Sequence, residues 1–313
     1  MKAVGLMVHG GPEVLEIVDV DEVTAGPGQI RIRNYAAAVN PTDVVARDGT
    51  RAKLQSQFPP PYVPGMDAAG IVDQVGDGVT TGIEVGDRVM AMVVPKAQHG
   101  AYREQLVLNQ HAVVPAPANT THQQASTLPM NALTARLSLD LLALSPGQVL
   151  AVTGGPGAYG GYVIELAKIA GLIVIADAAE SDRALLERLG ADVIIARGDG
   201  FAERVRDHFP AGVDGLADGA LLNDKAIPAV KDGGAFTAVR GFKGDPQREI
   251  RFTETWVTQY NERYDLLDEL RQHAEQGALT LRVADTVSPE RAGEAHRRLA
   301  AGGTRGRMVI DFS

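Results

Sequence analysis

The chain has 313 residues, of which 45% are hydrophobic and 22% are charged, and its formal net charge at pH 7 is −9. This length allows about two domains, and the acidic charge argues against nucleic acid as a partner. The absence of cysteine excludes disulfides, thiol nucleophiles and cysteine-ligated metals. The first residues do not read as a signal peptide, and no apolar stretch reaches about 20 residues. We therefore expect a cytoplasmic protein that makes no contact with membranes.

Residues 1–115 show the pattern of short β-strands. Apolar and polar side chains alternate in 29–33 and 70–75, and Gly- and Pro-rich turns separate such runs. The segment Ser56–Pro64 is proline-rich and cannot lie inside a central strand. This part of the chain is predicted to form a β-barrel or sandwich.

From Thr121 onward the pattern becomes helical and then alternates between strands and helices. A helical region covers 122–144 with an interruption near Pro129. Further helices are predicted over 181–189, 201–208, 224–230, 262–277 and 289–301, and strands over 149–152, 173–176, 192–196, 213–217, 235–240 and 307–311. The alternation predicts an α/β fold with a parallel, doubly wound sheet.

A glycine-rich turn, Gly155–Gly160, fits GxGxxG between an apolar strand and a helical pattern. Gly155 permits the tight turn, Gly157 lets the backbone approach a pyrophosphate, and Gly160 lets the helix pack on the strand. The next strand ends in an acid, Asp177, which is the residue type that binds the adenosine ribose. Because the helix N-terminus favours anions, this order predicts a dinucleotide site.

Eight segments together resemble the zinc-independent, zeta-crystallin-like quinone oxidoreductase branch of the medium-chain dehydrogenase/reductase superfamily. They are 40–49, 64–72, 75–76 with 86–89, 100–102, 133–135, 155–160, 189–192 and 231–234. The resemblance implies a chaperonin-10-like β-barrel catalytic domain of residues 1–120 and 263–313, and a Rossmann domain of residues 121–262. It also implies an active site in the cleft between them and a homodimer, for which the apolar strand 235–239 would suit edge-to-edge pairing.

The zinc-dependent relatives carry a cysteine where this chain has Asn40 and a histidine where it has Met66. The seven histidines are scattered, and none forms an i,i+4 pair. No metal ligands are therefore visible, and we expect no zinc.

Hydride transfer without a metal suits quinones and α,β-unsaturated carbonyls, because conjugation spreads the negative charge that develops. Asn40 is the leading candidate to donate a hydrogen bond to such an acceptor, although Asn-Pro also fits a helix N-cap. Asp43, one helical turn further on, is better explained as a first-turn acid. The resemblance implies that Thr134 lies near the nicotinamide ring, with packing inside a helix as the alternative. Tyr62, Tyr102 and Met66 are candidates for lining the substrate cleft.

The cofactor is predicted to be NAD(P)H, with NADH favoured and NADPH an alternative. Asp177 would repel a 2′-phosphate, whereas Arg183 lies within reach of one, and Arg240 is also assigned to the cofactor. Ala158 and Tyr159 stand where the family usually has Gly-Val, so the bulky Tyr159 is expected to contact the cofactor or to narrow the cleft.

Two other functions fit the same residues. The first is an alkenal, enone or enoyl-thioester reductase; for a thioester, the basic residues Arg240, Lys243, Arg248 and Arg251 would bind carrier phosphate unless they form a solvated loop. The second is a catalytically inactive nucleotide-binding protein that serves as a redox sensor or structural protein. In the leading interpretation the only partner besides a second subunit is a small quinone or enone.

Overall fold

The computed structural model describes residues 1 to 313. Its strands are β1 Lys2–Gly5, β2 Glu16–Asp19, β3 Gln29–Ala38, β4 Asp67–Val75, β5 Arg88–Met92, β6 Gln105–Asn109, β7 Val113–Pro115, β8 Val149–Thr153, β9 Ile173–Ala178, β10 Val193–Ala196, β11 Val213–Asp218, β12 Val230–Val239, β13 Arg251–Thr255, β14 Val283–Val287 and β15 Arg307–Asp311. Its helices are α1 Pro41–Arg47, α2 Ala52–Gln55, α3 His122–Ala125, α4 Pro129–Leu142, α5 Ala158–Ile169, α6 Arg183–Leu189, α7 Phe201–His208, α8 Tyr264–Glu275 and α9 Ala292–Ala301. None of these helices has the length and apolarity that a membrane crossing requires.

The chain divides into two compact units. The parallel-sheet unit comprises Asn131–Gln259 and Gly277–Thr280. The β-rich unit comprises Met1–Met130, Tyr260–Gln276 and Leu281–Ser313.

The parallel-sheet unit is built on six strands in the order β10-β9-β8-β11-β12-β13. Every neighbouring pair is parallel. From β8 the chain proceeds outward through β9 to β10, then crosses over and proceeds the other way from β11 to β13. The predicted doubly wound parallel sheet is confirmed, and its core packs around the fully buried Phe236.

The β-rich unit is organised around β3, which pairs antiparallel with β4, β6 and β15. Ile30 and Ile32 of β3 are fully buried, whereas Arg31 and Arg33, which alternate with them, point away from the core. This alternation is what a strand with one face on a core requires. Because β15 lies near the end of the chain, the tail completes this unit.

Residues 224–230 differ from the predicted single helix. The structure has two short 3-10 turns, Asn223–Lys225 and Ile227–Ala229. Asn223 has a left-handed φ of 52°, and Pro228 lacks the N–H that a continuing helix would use. The apolar periodicity of the segment was therefore not sufficient to make a helix.

The strand expected to mediate dimerisation, residues 235–239, belongs to β12 and lies inside the sheet. Its backbone is paired with β11 on one side and β13 on the other. A strand paired on both sides has no edge to offer another chain, so that prediction is wrong. The edge on this side of the sheet is β13.

Candidate active site

The order in which the chain adds strands to the parallel sheet reverses between β8 and β11. These two strands are neighbours in space but not in sequence. In open parallel sheets, ligands bind beyond the carboxyl ends of the strands at such a point. The glycine turn follows β8, and Gly219 follows β11. The glycine turn predicted to bind a dinucleotide therefore lies at the edge of the sheet where such a ligand is expected.

The glycine turn leads directly into α5. Gly157 is the N-cap residue, Ala158 and Tyr159 begin the first turn, and no side chain caps the helix. Backbone N–H groups at such an end favour an anion. A Cβ on Gly160 would lie 2.3 Å from the carbonyl oxygen of Gly154, so only glycine permits this close packing. The turn fits the pyrophosphate of a dinucleotide.

Asp177 in β9 is only 5% exposed, and its carboxylate is bound to the glycine turn. Its Oδ1 accepts a hydrogen bond from the backbone N–H of Gly154 at 2.6 Å. Burial raises the pKa of Asp177, while the N–H groups of Gly154 and Gly155 act in the opposite direction. The acid thus fixes the turn to the second strand, a structural role that sequence reasoning missed. Its contact with a ribose stays a prediction.

Thr153 and Asp218 join the ends of β8 and β11. The Thr153 hydroxyl donates to Asp218 Oδ1 at 2.5 Å, and the backbone N–H of Asn223 donates to Oδ2 at 2.7 Å. Both side chains are fully buried. The sequence offered a signal for Asp218, because it is an acid at the end of an apolar strand, as Asp177 is.

Two cavities lie in the parallel-sheet unit near strand ends. One, of about 310 Å³, is lined by Ala178, Ala179, Glu180, Arg183, Ile194, Ala196 and Arg197. Within it Arg183 Nε lies 3.2 Å from Glu180 Oε1, so this guanidinium already has an acidic partner. The other, of about 740 Å³, surrounds the start of α7, where Phe201 and Leu222 contribute apolar surface and Lys225 a charge.

The remaining predicted residues of this unit take different positions. Tyr159 is half-buried, with its hydroxyl oxygen 2.8 Å from Ser138 Oγ. Thr134 is buried in α4, one turn before Ser138. Arg240 is exposed and directly follows β12, with a left-handed φ of 66°. Since all strands are parallel, Arg240 lies at the same edge of the sheet as the glycine turn.

In the β-rich unit, Asn40 and Asp43 form a capping box at the start of α1. The backbone N–H of Asn40 donates to Asp43 Oδ2 at 2.8 Å. The Asn40 side-chain nitrogen donates to Asp67 Oδ2 at 2.6 Å and to the Ala38 carbonyl at 3.4 Å. Asn40 is fully buried, so its amide protons are directed at protein acceptors. The capping alternative is present in the structure, and donation to a substrate stays a prediction.

Asp67 is the fully buried partner of Asn40 at the start of β4. Its Oδ1 accepts from the backbone N–H of Met130 at 2.7 Å. Burial raises the pKa of Asp67 to about 7 and that of Asp43 to about 6, although the hydrogen bonds and the nearby Arg307 counteract it. Two buried carboxyls with pKa values close to neutrality are more typical of functional sites than of ordinary surfaces.

Tyr102 extends this cluster away from Asn40. Its hydroxyl donates to Asp43 Oδ2 at 3.0 Å and lies 3.2 Å from His296 Nε2. Burial, together with Arg47, lowers the pKa of His296 to about 3, so this imidazole is neutral. Tyr102 is fully buried and its hydroxyl is bound within this cluster, and the cleft-lining role predicted for it stays a prediction.

Tyr62 and Met66 also have protein partners. The Tyr62 hydroxyl donates to the Phe58 carbonyl at 2.9 Å, and its ring stacks on His9 with centroids 5.4 Å apart. Met66 Sδ accepts from the Thr42 hydroxyl at 3.2 Å. Both side chains are mostly buried, and their contact with a substrate stays a prediction.

No group of three or more His, Cys, Asp or Glu side chains is close enough to hold a metal ion. Asp43 and Asp67 are accompanied by an amide and a phenol, which are not a tetrahedral zinc donor set. The residues present do not fit a zinc site.

Comparison with known proteins places the chain in a family. Residues 26–118 match the alcohol dehydrogenase GroES-like domain, and residues 189–310 match a domain described as zinc-binding dehydrogenase. An Arabidopsis thaliana NADPH-dependent alkenal/one oxidoreductase is 32% identical, over 99% of this chain and 79% of the relative. A Pseudomonas aeruginosa quinone oxidoreductase is 27% identical, over 99% of both chains.

The fold agrees with that placement. The crystal structure of an NAD-dependent alcohol dehydrogenase superposes with a TM-score of 0.88 over 100% of both chains, at 29% identity. The GroES-like match confirms the predicted chaperonin-10-like domain, and the doubly wound sheet confirms the Rossmann-type one. The chain belongs to the medium-chain dehydrogenase/reductase superfamily, in its zeta-crystallin-like quinone oxidoreductase branch.

Proposed function

We propose that this protein is an NAD(P)H-dependent reductase that transfers a hydride to a quinone or to an alkene conjugated with a carbonyl. The observation that carries the proposal is the dinucleotide-type turn at the switch point of the parallel sheet. The quinone and alkenal/one activities of its relatives support the choice of acceptor. Residues 121–262 would serve as the cofactor domain, and 1–120 with 263–313 as the catalytic domain.

The chain supplies binding and orientation, while the nicotinamide, when bound, supplies the hydride. The first turn of α5, from Gly157 to Gly160, would hold the pyrophosphate, and Asp177 would mark the adenosine ribose. A conjugated acceptor needs only a few neutral hydrogen-bond donors, because its negative charge is delocalised. Asn40 and Thr134 remain our candidates for such donors.

We favour NADH over NADPH. Asp177 places a carboxylate at the ribose end of the site, and a carboxylate repels a 2′-phosphate. Arg183 and Arg197 line the adjoining cavity, but Arg183 is paired with Glu180. One relative is NADPH-dependent and one structural neighbour is NAD-dependent, so the relatives support either cofactor.

An enoyl-thioester reductase is less well supported than an enone or quinone reductase. Of the four basic residues considered for carrier phosphate, Arg248 donates to the carbonyls of Val230 and Ile227. Arg251 donates to the carbonyls of Leu141 and Leu142. Both guanidinium groups donate to backbone carbonyls. They therefore give little support for a phosphate-binding patch.

A homodimer and a cytoplasmic location complete the proposal. For the dimer, the structure offers the edge strand β13 and, directly after it, Trp256, which is 41% exposed. Light scattering during size-exclusion chromatography would give the oligomeric state. A monomer at micromolar concentration would contradict the proposed homodimer.

The decisive experiment follows NADH and NADPH oxidation spectrophotometrically with a panel of acceptors. The panel contains a benzoquinone, a naphthoquinone, a short alkenal, a cyclic enone and an enoyl thioester. We expect turnover with quinones or enones and little with the thioester. Tight binding of the dinucleotide without turnover on any acceptor would instead favour the redox-sensor interpretation.

A further inference from the structure

Tyr159 reaches from the start of α5 across the end of β11. Its backbone belongs to the first turn of the helix, while its ring covers Gly219. A Cβ on Gly219 would lie 2.6 Å from Tyr159 Cδ1 and 2.9 Å from Cε1. The absence of a side chain at position 219 is therefore what makes room for the ring.

The hydroxyl of Tyr159 is held by Ser138 in a fixed direction. Ser138 Oγ donates its single proton to the carbonyl of Thr134 at 2.9 Å. Tyr159 at 2.8 Å and Thr255 at 2.9 Å must then both be donors to Ser138. Thr237 lies 2.9 Å beyond Thr255 and ends this row of hydroxyls.

The direction of the Tyr159–Ser138 hydrogen bond limits what the phenol of Tyr159 can do chemically. Its proton is committed to Ser138, and burial raises the pKa of its phenol further above the ordinary value. The side chain is therefore unsuited to give a proton to a substrate. What it presents to a ligand is its ring.

The order of the strands shows which part of the cofactor meets the ring. Asp177 on β9 marks the adenosine side of the switch point, and the glycine turn after β8 marks the pyrophosphate. The nicotinamide end must then extend over the opposite half of the sheet, which begins with β11. Tyr159 points into that half, because its ring covers Gly219 and its hydroxyl meets the row that ends on β12 and β13.

We propose that the Tyr159 ring forms the floor under the nicotinamide end of the bound cofactor, and that Ser138 is a positioning residue that holds this ring in place. The inference rests on the proposed function. It specifies how that site fixes the position of the nicotinamide ring relative to the acceptor. Hydride transfer requires donor and acceptor to approach to roughly 3–3.5 Å, so a mobile floor lowers the fraction of reactive complexes.

The experiment compares S138A, Y159F and the double variant with the wild type. Both single variants break the same hydrogen bond, so we expect similar losses in kcat of about 3- to 100-fold, and no further loss in the double variant. The primary isotope effect with NADH deuterated at the transferred position should also change, which a purely structural role would not cause. T237V is the matched control, because it removes a hydroxyl from the same row and leaves the Tyr159–Ser138 bond intact. We expect its kcat and isotope effect to match those of the wild type.

The inference would be overturned if S138A had the same kcat, cofactor KM and isotope effect as the wild type. If the wild type binds NADH but reduces no acceptor, the proposed function fails, and the cofactor Kd then decides the inference. In that case S138A and G219A, whose new methyl would displace the ring, should each weaken NADH binding several-fold, and T237V should not. Unchanged Kd values in S138A and G219A would overturn it.

Discussion

The side-chain amide of Asn40 donates to the carboxylate of Asp67 across 2.6 Å, and neither side chain is exposed to solvent. Asn40 is the N-cap residue of α1 and Asp67 begins β4, so one hydrogen bond fixes a helix start to a strand of the β-rich sheet. Asp67 also receives the N–H of Met130. An amide at position 40 therefore donates to a buried carboxyl group as well as capping a helix.

Truncating this amide should cost mainly stability. N40A leaves the Asp67 carboxylate short of a donor and removes the cap of α1, so we expect the free energy of unfolding to fall by about 2–4 kcal/mol. Urea unfolding measures the loss. N109A is the control, because Asn109 caps a short turn on the surface, and its cost should stay below about 1 kcal/mol. Where N40A is folded, a loss of kcat of about 100-fold or more would indicate direct polarisation of the acceptor.

The buried carboxyl of Asp67 should make the effect of D67N depend on pH. Its folded pKa of about 7 lies above its ordinary value of 3.8, so the folded wild type holds the extra proton between these values. The contribution of Asp67 to the free energy of unfolding therefore falls as pH rises from about 4 to about 7. D67N lacks this titration and should gain stability relative to the wild type across that range.

Paired urea titrations of D67N and the wild type at several pH values would reveal this. D73N is the control, since Asp73 is a partly exposed acid that pairs with Arg31 at 2.7 Å. A difference between D67N and the wild type that does not vary with pH would contradict the raised pKa.

Removing the charge of Asp177 should shift cofactor preference toward NADPH. D177N keeps an oxygen that can accept from the Gly154 N–H but removes the repulsion of a 2′-phosphate. With solvent screening that repulsion amounts to about 1–2 kcal/mol, so the NADPH/NADH ratio of kcat/KM should rise about 5- to 30-fold. D177A should show the same shift with an added loss of stability.

Steady-state kinetics with both cofactors would measure that ratio. D192N removes a charge from the same unit, at an acid paired with Lys168, and should leave the ratio unchanged. A wild type that already prefers NADPH strongly would contradict the role given to Asp177.

Arg251 should prove structural. Its guanidinium donates to the carbonyls of Leu141 and Leu142 at the end of α4, so R251A exposes unsatisfied groups and should cost about 1–3 kcal/mol. R240A, at an exposed position after β12, should change stability by less than about 0.5 kcal/mol. Thermal unfolding compares the two. A selective loss of thioester reduction in R251A would reopen the phosphate interpretation.

Much of the fold follows from local patterns. The turn before α5, the alternation in β3 and the final strand β15 lie where the periodicity predicts them, because apolar spacing and glycine act within a few residues. The helix predicted over 224–230 was wrong because Asn223 and Pro228 impose backbone angles that override apolar spacing. The prediction that residues 235–239 form a dimer edge was wrong because the pattern of a strand does not show how many neighbouring strands it will have.

The sequence by itself determined the family, the glycine turn and the acid at Asp177, since these depend on residue type and spacing along the chain. Only the tertiary structure decided what those residues touch. Asp67 meets Asn40 from 27 residues away, and Ser138 meets Tyr159 from 21. Long-range pairs like these form because a buried polar group requires a partner, and only the packed fold determines which group supplies it.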